Sequence, residues 1–197
     1  MNVIDAIIKR RSHRLLGNHR IVSDEVLEKA LFDAIKHTPS SFNAQSQTAM
    51  LLLGNQHHQL WEIVLESLRK IVPETQFPKT SKKIKTFDDA YGTILFFDHL
   101  EITKNLEDKF PLYRHNIENW VEQQTGMLQS NIWLVLTELG YGASLQHYTE
   151  LIEEEVKVAF NVPKAWKLIA QMPFGSLIEE PGTKDFLPMN QRFIVKK

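Results

Sequence analysis

From Ile117 to Leu139 the sequence carries Ile117, Trp120, Val121, Gln124, Leu128, Ile132, Val135, Leu136 and Leu139 at the three-and-four spacing of a helix. It is the longest helical pattern in the chain. Its last third, Ile132-Trp133-Leu134-Val135-Leu136, is apolar on every side, and such a segment must be covered all round. A central core helix of a monomer would satisfy it. So would a dimer whose interface runs along it, and a chain of only 197 residues favours the dimer.

The other elements are arranged around that helix. Asn2 to Lys9 predicts a short helix with Val3, Ile4, Ile7 and Ile8 on one face. A second runs from Ser23, its N-cap, to Lys36, with Asp24 and Glu25 in the first turn. Ala49–Leu53 and Gly92–Phe97 are short apolar runs that predict buried strands. A helix over Gln56–Val72 lies between them, followed by a polar, lysine-bearing stretch from Lys79 to Asp89. Leu100–Asp108 and Ile152–Phe160 predict further helices. Ala143–Tyr148, Trp166–Phe174 and Arg192–Val195 predict strands. Helices outnumber strands and separate them unevenly, so the expected class is α+β with one sheet, in a single domain over 1–197.

Composition removes several function classes. There is no cysteine, hence no disulfide, thiolate zinc site or cysteine nucleophile. The formal net charge is −1 with basic residues scattered along the chain, so nucleic-acid binding lacks its electrostatic footprint. No signal pattern or membrane-length apolar run is seen, and a cytoplasmic protein is expected.

The candidate chemistry is concentrated in a few places. Arg10-Arg11-Ser12-His13-Arg14 is the densest basic segment. Guanidinium groups match phosphate oxygens, although a basic helix end is also what the macrodipole favours. Pro39-Ser40-Ser41-Phe42-Asn43-Ala44-Gln45 packs hydroxyl and carboxamide groups into the connection between a helix and a strand. It is either a solvated turn or a row of neutral donors and acceptors for a planar heterocycle. Gly140-Tyr141-Gly142 stops the long helix, but it lacks the strand-before-helix context of a dinucleotide loop. His57 and His58, adjacent on a helix, are expected to be solvated, as is Glu153-Glu154-Glu155. No metal site is expected, because His147 lacks a ligand at metal spacing. No carboxylate pair stands out, so any hard chemistry would belong to a bound cofactor.

Taken together these segments resemble the nitroreductase family of FMN-dependent flavoproteins. The resemblance rests on Arg10-Arg11-Ser12-x-Arg14, Pro39–Gln45, the Gly140–Tyr148 turn and Arg192, in order along almost the whole chain. Trp61, Arg69–Pro73, Phe110–Tyr113, Gly142–Tyr148 and Gln171–Gly175 look like its short fatty-acid-repression-mutant branch, known from yeasts and lactic-acid bacteria.

That resemblance implies an α-β-α sandwich around a mainly antiparallel sheet. It implies an intertwined homodimer whose C-terminal tail reaches the partner, with two FMN sites in the interface. Arg10, Arg11, Ser12 and Arg14 fall on its ribityl and phosphate contacts, and Arg192 on its C-terminal phosphate arginine. Ser40, Ser41, Asn43 and Gln45 fall on the loop that the partner lays against the flavin. Ser144, Leu145, Gln146 and His147 fall along the isoalloxazine. Phe42, Tyr113 and Trp120 are the candidate substrate-pocket walls. The implied activity is reduction of nitroaromatic compounds and other small aromatic acceptors, quinones included. NADH or NADPH is the donor, in a ping-pong reaction through flavin N5 with no catalytic side chain. The alternative is a flavin-binding stress or lipid-response regulator with slow incidental turnover. Asn190 departs from the family's usual lysine, and Lys82, Lys83 and Lys85 have no assigned contact.

Overall fold

The computed structural model describes residues 2–197. Its sheet is built on two long strands, β3 (Gly92–His99) and β5 (Trp166–Leu177), paired antiparallel. Strand β2 (Gln47–Leu53) pairs with the other edge of β3. Two short strands, β1 (Leu16–Gly17) and β4 (Gly142–Ala143), pair with the C-terminal end of β5. All of these pairings are antiparallel; a single parallel bridge joins Ser12 to Ala143.

Helices cover both faces. On one lie α3 (Asn55–Arg69), α4 (Phe77–Asp88) and α7 (Thr149–Ala159). Leu60, Trp61, Val64, Ile84, Phe87, Ile152 and Val156 meet Leu95, Phe97 and Leu168 there. On the other lie α2 (Asp24–His37) and α6 (Arg114–Glu138). Leu27, Leu31, Leu128, Ile132 and Leu136 meet Ile94, Phe96, Ala170, Met172 and Phe174 there. The period of two along β3 therefore feeds two cores, and the molecule is an α-β-α sandwich. Each fully buried Leu or Phe contributes roughly 1.5–3 kcal/mol. Along β5 the pairing shifts where Phe96 meets Ala170 and Phe97 meets Leu168. The extra residue, Ile169, lets Leu168 and Ala170 face opposite cores despite their even spacing.

Two helices complete the chain, α1 (Val3–Lys9) and α5 (Leu100–Lys109). Asn2 caps α1 through Asp5 N–H at 2.9 Å, and Ser23 caps α2 as its sequence predicts. At the β1–β5 crossing a Cβ on Gly175 would lie 2.2 Å from the Gly17 carbonyl oxygen, so only glycine fits.

Several expectations need correction. The polar, lysine-bearing Lys79–Asp89 stretch, given no element from its sequence, forms α4 from Lys79 to its end at Asp88; the helix has proline in its first turn and buries Ile84 and Phe87. The helix expected over Gln56–Val72 ends at Arg69. Of Ala143–Tyr148 only Ala143 is in a strand, although Gln146 bridges to Gln171. Arg192–Val195 is not a strand; the tail there holds a 3-10 turn at Met189–Gln191. Glu153 is not merely solvated, since its carboxylate accepts from Leu168 N–H at 3.1 Å and pairs with Lys157 at 2.8 Å. No helix of the described residues is long and apolar enough to cross a membrane.

Much apolar surface stays uncovered in the single chain. Ile132 and Leu136 are buried, but Trp133, Leu134 and Val135 are only half-buried. Val3, Ile4, Ile7 and Ile8 of α1 are exposed, and so are Phe186, Leu187, Phe193, Ile194 and Val195 of the tail.

Candidate functional site

The basic segment after α1 turns towards β4, where Ser12 bridges to Ala143 and His13 N–H donates to the Ala143 carbonyl at 3.0 Å. The tail passes alongside. Together they enclose a cavity of about 430 Å³ lined by Arg10, Arg11, Ser12, His13 and Arg14 on one side and Glu179 and Pro181–Lys184 on the other. The Arg10 guanidinium lies 4.6 Å from the centroid of the Trp133 ring. Arg11 Nη2 donates to the Gly182 carbonyl at 2.8 Å. None of Arg10, Arg11 and Arg14 is held by a carboxylate among the described residues. Burial pushes the His13 imidazole below its usual range, against the opposing pull of the Glu179 carbonyl.

A second cavity, about 710 Å³, shares Arg14 and Leu15 with the first. Its other walls are Lys79, Lys82, Lys83, Thr86 and Phe87, with Leu145 and Gln146. The Leu145–Gln146 wall is rigid. Gln146 and Gln171 exchange backbone hydrogen bonds at 2.7 and 2.9 Å, and the Gln171 side chain accepts from Tyr148 N–H at 2.8 Å. Ser144 is buried and its N–H donates to the Pro173 carbonyl, whereas His147 is exposed and lines neither cavity.

The Ser40–Gln45 loop is a turn with Phe42, Asn43 and Gln45 exposed, and its backbone is held in a strained conformation. Phe42, Asn43 and Gln45 have φ of 52°, 55° and 58°. Left-handed backbone at such positions costs on the order of 1–3 kcal/mol each and persists only where the surroundings impose it. The restraint comes from Gln124 on α6, which is 1% exposed. Its Oε1 accepts from Ser41 N–H at 3.0 Å and its Nε2 donates to Ser46 Oγ at 2.8 Å. Ser40 Oγ accepts from Gln45 N–H at 2.9 Å. Phe42 stacks on Phe110 at 4.1 Å, with Tyr113 and Trp120 at 6.0 and 6.1 Å.

The chain thus brings Arg10–Arg14, Leu145 and Gln146 together, and separately gathers Phe42, Tyr113 and Trp120. No residue of Ser40–Gln45 lines either cavity, nor does Arg192 in the exposed tail. Three roles were missing from the sequence reading. Gln124 stands there as the one polar member of an apolar stripe, with nothing to show that it holds a loop. Phe110 stands there only as part of the Phe110–Tyr113 run. Lys79, Lys82 and Lys83 share one face only because α4 is a helix.

His57 also differs from expectation, being 1% exposed rather than solvated. Its Nδ1 lies 2.9 Å from Thr93 Oγ1 and its Nε2 3.0 Å from the Asp88 carbonyl. His57, His58 and Asp88 could together hold a metal ion. However, the bonds to Thr93 and Asp88 occupy both His57 nitrogens, and Lys85 sits 3.0 Å from the Asp88 carboxylate. The group locks α4 to α3 and β3.

Comparison with known proteins agrees with this architecture. Nitroreductase CinD from Lactococcus lactis, solved with chloramphenicol and with 4-nitrophenol, is 36% identical, with TM-score 0.91 and full coverage of both chains. Nitroreductase FRM2 from Saccharomyces cerevisiae is 28% identical over 188 residues, which is 94% of this chain and 93% of the relative. A structure from Exiguobacterium sibiricum in complex with FMN shares the fold at TM-score 0.72 and 15% identity, covering 100% of this chain and 98% of that one. Residues 7–176 match the nitroreductase family as a whole. The chain belongs to the nitroreductase family, and it is an oxidoreductase of that type.

Proposed function

We propose that the protein is an FMN-dependent oxidoreductase that takes electrons from NADH or NADPH and passes them to nitroaromatic compounds. The observation that carries this reading is the pair of adjacent cavities that share Arg14 and Leu15, one lined by guanidinium groups and the other by Leu15, Phe87 and Leu145 together with the lysines of α4. That donor set fits a phosphate joined to a flat heterocycle. Arg10, Arg11, Ser12 and Arg14 would hold the phosphate through charge-assisted bonds. Leu15 and Leu145 would pack against the ring system, and the Ser144–His147 backbone would meet its polar edge. When bound, FMN supplies the hydride-transfer chemistry, while the protein binds, orients and excludes water. CinD, solved with two nitroaromatic compounds, supports the acceptor class.

We infer that the working unit is a homodimer with shared sites. The exposed apolar residues of α1 and of the tail need a cover that the single chain does not give. The rigid Ser40–Gln45 loop and Arg192 lie away from the cavities of their own chain, so they would serve the partner's.

Donor and acceptor would use one open ring face in turn. Steady-state rates at several NADH and nitroaromatic concentrations should therefore give parallel double-reciprocal lines. Intersecting lines would count against alternate occupation of one site.

A further inference from the structure

Helix α4 turns Lys79, Lys82, Lys83 and Thr86 towards the larger cavity, the spacing of a single helical face. Arg14 adds a fourth cation to the lining, and no acidic side chain shares it. Neither Lys79 nor Lys82 is in an ion pair among the described residues. The Lys83 ammonium lies 5.6 Å from the Tyr148 ring centroid and 5.8 Å from that of Phe87, over aromatic faces rather than against a carboxylate. Lys85 is the contrast. It does not line the cavity, and Asp88 and Asp89 clasp it.

Like charges three and four residues apart repel along a helix. No acidic side chain among the described residues pairs with Lys79, Lys82 or Lys83 or lines the cavity, so α4 presents an unbalanced positive face to a partly apolar cleft. A cleft of one sign with low-dielectric walls concentrates ligands of the opposite sign. The phosphate of the proposed flavin already has the Arg10–Arg14 cluster in the neighbouring cavity. The α4 lysines form a second cationic set on the ring side. We propose that this lysine face selects reactants that carry an oxyanion. That group is either a carboxylate on the aromatic acceptor or the additional phosphate that distinguishes NADPH from NADH. This inference rests on the oxidoreductase reading and adds the charge of the reactant to it.

The test compares the flavin-loaded wild type with the Lys79→Ala/Lys82→Ala variant. Both positions are exposed on a helix, and alanine suits a helix best. kcat/KM is measured for 4-nitrobenzoate against 4-nitrobenzamide, and for NADPH against NADH. In at least one pair the anionic or extra-phosphate member should lose about 10-fold more than its counterpart in flavin-loaded protein, and added salt should shrink the gap. The pair that responds identifies the source of the oxyanion. Equal changes for both members of both pairs would overturn the inference. Flavin absorbance per chain reports separately on the oxidoreductase reading. If the protein takes up no flavin, quenching of its tryptophan fluorescence by 4-nitrobenzoate against 4-nitrobenzamide, and by NADPH against NADH, decides instead. A preference for the acid or for NADPH that the double substitution removes supports the lysine face. Equal affinity of the wild type for both members of both pairs overturns it.

Discussion

Arg11 and Gln124 show two ways in which one side chain can serve a site. Arg11 projects its guanidinium into the smaller cavity and also ties down the tail at Gly182. Arg11→Ala should weaken FMN binding by about 1.5–3 kcal/mol, the range for a charged hydrogen bond, as read by fluorescence titration. Affinity equal to wild type would remove Arg11 from the phosphate site. Gln124 touches neither cavity but holds the Ser41–Ser46 loop at both ends. Gln124→Leu leaves the Ser41 N–H without its acceptor, at a cost of about 1–3 kcal/mol. Urea unfolding should show that loss, and an unchanged midpoint would mean that the loop holds itself. The arginine cluster was legible from the sequence because its residues are adjacent. The Gln124 clamp was not, because its partners are 83 and 78 residues away.

Helix and strand positions were legible wherever an apolar period was unbroken. Hence α2, α6, β3 and most of β5 lie close to their expected bounds. Helix α4 was missed because only Ile84 and Phe87 are buried among its lysines. His57 was missed because its partners, Thr93 and Asp88, come from other elements. That junction has a pH signature. Burial holds the His57 pKa below its ordinary 6.5, with the Asp88 carbonyl opposing. As pH falls below 6.5 the unfolded chain takes up this proton before the folded one does. Stability should therefore fall with pH below that value until folded His57 itself protonates, and His57 adds no slope above it. Urea midpoints between about pH 7.5 and about pH 5.5 should fall less steeply in His57→Gln, with a residual slope from His13. An identical slope in the variant would clear His57. The β1–β5 crossing makes a steric prediction. Gly175→Ala drives a methyl into the Gly17 carbonyl oxygen and should cost about 1–3 kcal/mol. A variant as stable as wild type would show that the crossing can spread.

At the scale of the whole molecule, two observations point beyond one chain. Trp133, Leu134 and Val135 of α6 stay half-buried, and the apolar tail lies open. The Ser40–Gln45 loop stands apart from the cationic cavity. If each site takes Arg11 from one chain and Asn43 from the other, an Arg11→Ala chain paired with an Asn43→Ala chain forms one intact site and one doubly damaged site. Doubly tagged mixed dimers should then recover up to about half the wild-type activity. No recovery, from folded dimers of two impaired variants, would place both residues in a site within one chain. The two adjacent cavities that share Arg14 and Leu15 are proposed to hold the flavin through which electrons pass. The most direct test is the visible spectrum of the FMN-loaded protein under anaerobic conditions. The flavin bands should bleach when NADH or NADPH is added and return when a nitroaromatic compound follows. A protein that remains colourless after incubation with FMN, or whose bound flavin is unchanged by both nicotinamides, would contradict the account.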